Sequence, residues 1–164
     1  MQKSVTLSQR FDTGVAGLWH AAGHPRLVSG NVPMLRSFFA PTTLRIGTPV
    51  AETHTILGWP QKYLGHITHY AEGQTWGMSS SPAERGPLPL PHDVMYEFEP
   101  DGRGSQLRVS CRFDCLGILG LPLISNLVEW YMKRAIAKVF DAARMNISRS
   151  QAANDSDSAA VTQS

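Results

Sequence analysis

The sequence predicts a single α+β domain, with an antiparallel sheet packed against one long C-terminal helix. Three observations carry this prediction. Period-two alternation recurs between Leu44 and Asp114 and is clearest over the last two strands. An amphipathic stretch from Ile124 to Asn146 follows without Gly or Pro. The length, 164 residues, suits one core and leaves little room for a second.

The first strand is Val5, Leu7, Gln9 and Phe11 alternating with Thr6, Ser8 and Arg10. Asp12 or Thr13 is then placed to cap a helix from Gly14 to Ala22, with Val15, Leu18 and Trp19 on one face. Gly14 and Gly17 weaken it by about 1 kcal/mol each relative to Ala. Gly23-His24-Pro25 ends it, and a short helical piece follows up to Val32-Pro33.

Leu44-Arg45-Ile46 is expected to open the β region. Strands follow at Glu52–Leu57 and Tyr63–Tyr70, and Ala71-Glu72-Gly73-Gln74 turns into a strand starting at Thr75. Four prolines between Ser79 and Pro91, with Gly86-Pro87 among them, predict a loop there. His92, Val94, Tyr96 and Phe98 then alternate with Asp93, Met95, Glu97 and Glu99. After the turn Pro100-Asp101-Gly102-Arg103-Gly104, Leu107, Val109, Cys111 and Phe113 alternate with Arg108, Ser110, Arg112 and Asp114. This hairpin has one apolar face and one wet face.

Leu116–Pro122 reads as a broken apolar link. On the long helix, Val128, Met132, Ala135, Val139, Ala142 and Ala143 share one face, and Lys133, Arg134, Lys138, Asp141 and Arg144 the other. A stripe of that length needs a partner surface, and the sheet is the one available. Residues 148–164 are small, polar and aperiodic, which predicts a disordered tail behind a domain of residues 1–147.

Bulk properties narrow the function. A net charge of +2, with no run of five like charges, argues against a nucleic-acid partner. Cys111 and Cys115, four apart on a strand, would sit about 13 Å apart at about 3.3 Å per residue, too far for a disulfide. Free thiols and the lack of an apolar leader at Met1-Gln2-Lys3-Ser4-Val5 point to a cytoplasmic location. No apolar stretch is long enough to span a bilayer.

Several phrases resemble the START/SRPBCC superfamily, which includes START domains, pollen-allergen-like proteins and aromatic polyketide cyclases. They are Phe11-Asp12-Thr13 leading to Val15 and Leu18-Trp19, Tyr96-Glu97-Phe98-Glu99-Pro100 with Gly102 and Gly104, Gln106-Leu107-Arg108-Val109, and the terminal helix. The similarity spans about Ser4 to Asn146. It departs from the pattern in the proline-rich loop and the two glycines of the first helix. The resemblance implies a helix-grip fold, a curved antiparallel sheet wrapped around the C-terminal helix, with a cavity between them. Small residues on the inner helix stripe (Ala135, Ala142, Ala143) either let the layers close or leave a void. An apolar void of about 300–1,000 Å³ is the size of a small-molecule site.

Candidate lining residues are His92, Val94, Tyr96 and Phe98 on one strand, Val109 and Cys111 on its partner, and Tyr131 and Ala135 on the helix. Trp59 and Trp76 are candidate stacking surfaces for a flat ligand. His92 and Tyr96 could bond a carbonyl or move a proton. The plainer alternative is a core tyrosine, a strand-end histidine and ordinary core or edge tryptophans. His66 and His69, at odd spacing, are expected on opposite sheet faces. Arg112 and Asp114 read as a solvated pair. His20 and His24 are separated by a helix break, and Cys111 and Cys115 are too far apart for one zinc, so no metal site is expected. No phosphate loop, dinucleotide fingerprint or Gly-x-Ser-x-Gly occurs, so no cofactor is expected. Three functions remain open: a carrier of a small hydrophobic ligand, lipid- or polyketide-like; a cyclase/dehydratase-type enzyme; and a protein-interaction module. Several convergent polar groups on the inner wall would favour the enzyme, an all-apolar wall the carrier, and a filled interior the module.

Overall fold

The computed structural model describes residues 1–30, 32–33, 35–56, 58–84 and 89–161, the side chains of 56 and 154–161 excepted. Leu57 and Gly86-Pro87, read above as a strand end and a loop, lie outside the described residues.

The chain begins with β1 (Gln2–Phe11), α1 (Val15–Ala22) and α2 (Pro25–Ser29). The strands β2 (Leu35–Phe39), β3 (Pro49–Ile56), β4 (Trp59–Ala71), β5 (Thr75–Pro82), β6 (His92–Asp101) and β7 (Gly104–Asp114) follow. A 3-10 turn (Gly117–Gly120) leads into α3 (Pro122–Val161). All neighbouring strands are antiparallel, in the order β1-β7-β6-β5-β4-β3-β2. The sheet curls into a half-barrel around α3, the helix-grip architecture.

The alternating pattern does what period two demands. Val5, Phe11, Leu107, Val109, Cys111 and Phe113 are all buried on the concave face, while Arg108 and Arg112 are exposed. The β6–β7 hairpin forms around Gly102, whose φ of 61° suits glycine. Gly104 has no room for a side chain, since a Cβ there would lie 2.3 Å from the Phe11 carbonyl oxygen. Ala135, Ile136, Val139, Phe140, Ala142 and Ala143 of α3 are buried. Lys3 of β1 anchors the helix, donating to Asn126 at 2.7 Å and Glu129 at 3.0 Å.

Four local expectations need correction. Leu44-Arg45-Ile46 is not a strand. Gly47, with φ 85°, makes a turn there, and the β region opens earlier, with β2 at Leu35. The α1 N-cap is Gly14, with no side-chain hydrogen bond from Asp12 or Thr13. Ser79–Pro82 belongs to β5, because its inward Ser80 pairs in register with Gly65 and His92. A bulge between Ile67 and His69 inserts one extra residue, so His66 and His69 both face outward. The helix α3 runs on to Val161, beyond residue 147, where the domain is expected to end.

The side chains of 148–153 are exposed on that extension. Truncation at Ser150 is therefore expected to leave the melting temperature within about 2 °C, measured by thermal denaturation. A larger drop would mean that the extension docks on the domain.

Candidate functional site

A cavity of about 100 Å³ lies between the concave sheet face and α3. One water needs roughly 10–15 Å³ of such space, so the cavity has room for several waters or one small ring. That is less than the 300–1,000 Å³ expected, because large side chains (Trp76, Tyr63, Tyr96, Met132) fill much of the interior. The wall is largely apolar, with contributions from Val28, Met78, Leu90, Val109, Ile136 and Val139.

Eight of the ten residues anticipated from sequence line this cavity: His92, Val94, Tyr96, Val109, Cys111, Trp76, Tyr131 and Ala135. Two do not. Phe98 is buried under α1, with its ring edge-on to Trp19 at 4.9 Å. Trp59 is 64% exposed, because it follows the Gly58 turn at the tip of the β3–β4 hairpin. Trp76 offers less free surface than expected. Tyr96 stacks on it at 3.9 Å and 13°, and its indole N–H donates to the Ala22 carbonyl at 3.2 Å. Tyr131 donates its hydroxyl to the Pro33 carbonyl, tying α3 to the segment after α2.

Two polar residues of the wall, Glu52 and His54, were passed over in reading the sequence. Glu52 and His54, two apart on β3, point to the same face. They meet His92 at the start of β6. In a flat sheet β3 and β6 would be about 14 Å apart, at roughly 4.8 Å per strand. The curl of the sheet, and the length of the side chains, close that gap. The Glu52 Oε2 atom lies 2.6 Å from His54 Nε2 and 3.4 Å from His92 Nε2. Ser80 donates to Glu52 Oε1 at 2.6 Å. His92 Nδ1 donates to the Leu90 carbonyl at 3.0 Å. The His54 and His92 rings each lie against Tyr63, with centroids 5.1 and 5.4 Å away. The Tyr63 hydroxyl is buried with no hydrogen-bond partner among the described residues.

The electrostatics follow from this geometry. Burial alone would raise the Glu52 carboxyl. Hydrogen bonds from His54 and His92, with their Coulombic attraction, outweigh it and hold the group well below the usual carboxylate range. Burial opposes a charge on His92, yet the Glu52 carboxylate and the Leu90 carbonyl move its pKa above the ordinary imidazole value. Burial pushes the Tyr63 hydroxyl and the Cys111 thiol up to about 12 each, so both stay protonated. Cys111 is a free thiol and no nucleophile in this setting.

The pairs weighed for a metal from sequence were His20 with His24 and Cys111 with Cys115. The structure instead assembles Glu52, His54 and His92, whose ligand atoms lie within 4.8 Å of one another. Their one sequence signal is a Glu-x-His pair on a strand, with an inward His at the head of a later strand.

Gly65 makes this arrangement possible. A Cβ there would lie 2.2 Å from the Ser79 carbonyl oxygen and 2.5 Å from Ser80 Oγ, the atom that bonds Glu52. Gly65→Ala is expected to cost about 1–3 kcal/mol in chemical denaturation, by overpacking at a backbone contact. An unchanged midpoint would show that β4 and β5 can separate there.

No protein-family model matches the chain, and neither does any curated protein. Solved structures do match in shape. Ara h 8.0201 aligns with a TM-score of 0.64 at 18% identity, over 90% of this chain and 98% of that one. TTHA0849 from Thermus thermophilus aligns at 0.69 and 12% identity, over 90% and 99%. The di-domain ARO/CYC protein StfQ, from the steffimycin biosynthetic pathway, aligns at 0.71 and 10% identity, over 93% of this chain and 52% of its own. At these identities the match carries the fold alone, the helix-grip fold. Among the described residues, no helix is long and apolar enough to cross a membrane.

Proposed function

We propose that the protein binds a small hydrophobic molecule bearing one polar group in the cavity between sheet and α3. The observation that carries this is a largely apolar cavity with one polar wall segment, Glu52–His54–His92. Apolar surface supplies the affinity, and the few polar groups orient the ligand. The fold, one suited to hydrophobic ligands, supports the same reading. Space of about 100 Å³ admits a single ring or a short chain; anything longer requires flexible lining side chains such as Met78 and Met132 to move.

A second reading, a cyclase/dehydratase-type enzyme, is favoured by the same polar segment. An all-apolar wall would suit a carrier, whereas here two imidazoles and a carboxylate converge on the cavity. A substrate held against them in a near-attack geometry would gain rate from positioning, with an imidazole moving a proton. The similarity to StfQ, an ARO/CYC protein of a biosynthetic pathway, supports this reading. The interaction-module reading calls for a filled interior, and the cavity weighs against it.

Native mass spectrometry of the protein from its own source tests the binding proposal. One co-purifying small molecule per chain is expected. A bare chain that also takes up no apolar dye would overturn it. Incubation with the molecule so identified separates the two readings: a carrier returns it unchanged, and an enzyme returns a product of different mass or retention time.

A further inference from the structure

We propose that Glu52, His54 and His92 form a binding site for one divalent first-row transition-metal ion of the zinc and iron(II) class. The site lies in the wall of the cavity assigned above to a hydrophobic ligand, and the ion gives that cavity a polar anchor.

The donors are of the right kind. Two imidazole nitrogens and one carboxylate, with no thiolate, suit zinc, iron(II) and their neighbours. The spacing is close to what an ion needs. Ligand atoms at about 2.0–2.1 Å from a tetrahedral ion lie about 3.3 Å apart. Glu52 Oε2 and His92 Nε2 are 3.4 Å apart, close to that spacing. All three ligand atoms lie within 4.8 Å of one another, and His54 Nε2, at 2.6 Å from the same oxygen, must open from it and release its proton to join.

The surroundings are arranged as they are around metal ligands. The Leu90 carbonyl can only accept, so His92 Nδ1 carries a proton and holds the ring with Nε2 toward Glu52. Ser80 donates to the other carboxylate oxygen and fixes Glu52 in the same way. With Nδ1 so occupied, His92 presents Nε2 to Glu52 Oε2, where a proton or, once that proton is released, an ion can sit. A metal ion in place of the imidazole protons would satisfy all three buried ligands together. Three protein ligands leave at least one coordination position free. The neighbouring space is the cavity, so an oxygen of a carboxylate, phenol or carbonyl on the bound molecule, or water, would fill it.

The full-length protein, stripped with a chelator and dialysed, is titrated calorimetrically with Zn²⁺ and, in parallel, optically with Co²⁺. One equivalent of each per chain is expected, and the cobalt spectrum should have the intensity of a tetrahedral or five-coordinate site. Ser80→Ala is expected to weaken Zn²⁺ binding by about 10–100-fold, as loss of a ligand's hydrogen-bond partner does. His54→Gln, which keeps a polar side chain facing Glu52 but removes the imidazole ligand, should weaken it further. The paired variant of the exposed His66 and His69 should bind as the wild type does. Absence of one-equivalent binding would overturn the proposal. So would binding that survives both His54→Gln and Ser80→Ala, or that is lost with His66 and His69. Uptake of an apolar dye by the stripped protein reads the cavity alone, so failure of the metal site and failure of the ligand site are seen separately.

Discussion

Val139→Asp is expected to yield unfolded or insoluble protein. Val139 is 3% exposed on α3, and its side chain contributes to the cavity wall beside Ile136 and Val109. An aspartate there brings a carboxylate into an apolar interior that already holds Glu52. Glu52 has its charge balanced by Ser80, His54 and His92, and among the described residues no comparable set of donors serves position 139. An unpaired buried charge costs more than the loss of the two methyl groups it replaces. The total should exceed about 4 kcal/mol, a large share of the roughly 5–15 kcal/mol that holds a domain together. Soluble expression with circular dichroism and a melting curve reads the outcome. A variant with wild-type stability would mean that this face of α3 is wet, and the packing of helix on sheet described above would be wrong.

Glu52→Ala should be the next most damaging single change. It removes the acceptor shared by Ser80 and His54 and the carboxylate that faces His92, so several buried polar groups lose their partner at once. Breaking a buried polar pair by deleting one member typically costs about 3–5 kcal/mol. At about 2–4 °C per kcal/mol for a domain of this size, the melting temperature should fall by roughly 6–20 °C. Ser80→Ala, which leaves the carboxylate and both imidazoles in place, should cost far less. Equal stabilities for wild type and Glu52→Ala would mean that the network contributes nothing net to the fold.

What could be read from sequence divides along physical lines. The β6–β7 hairpin was legible because strict alternation and a Pro-Asp-Gly turn act within a few residues of each other. The inner stripe of α3 was legible for the same reason, since a 3.6-residue period needs no knowledge of the partner. Together they located one side of the cavity wall, from Val94 and Tyr96 across Val109 and Cys111 to Ala135. Phe98 was misplaced because it shares the inner face with Tyr96 and only the position of α1 decides which of them meets the cavity. Trp59 was misplaced because a hairpin tip can extend beyond the sheet it belongs to. The bulge after Ile67 reversed the side of His69, and no local residue type announces such an insertion. The Glu52–His54–His92 cluster was invisible for a different reason. Its members come from strands that do not pair, and only the curl of the whole sheet brings them together.

The most direct test of the cavity is uptake of an environment-sensitive apolar dye by the wild type and by Ala135→Phe. Ala135 lies in the cavity wall at the centre of the α3 stripe, so a phenyl ring there would occupy the cavity. The expected result is saturable dye fluorescence in the wild type, its loss in Ala135→Phe, and a melting temperature for the variant close to that of the wild type. In a solid core, the same substitution would overpack and destabilise by about 1–3 kcal/mol. That destabilisation, together with no dye uptake by the wild type, would contradict a ligand-binding cavity between the sheet and α3.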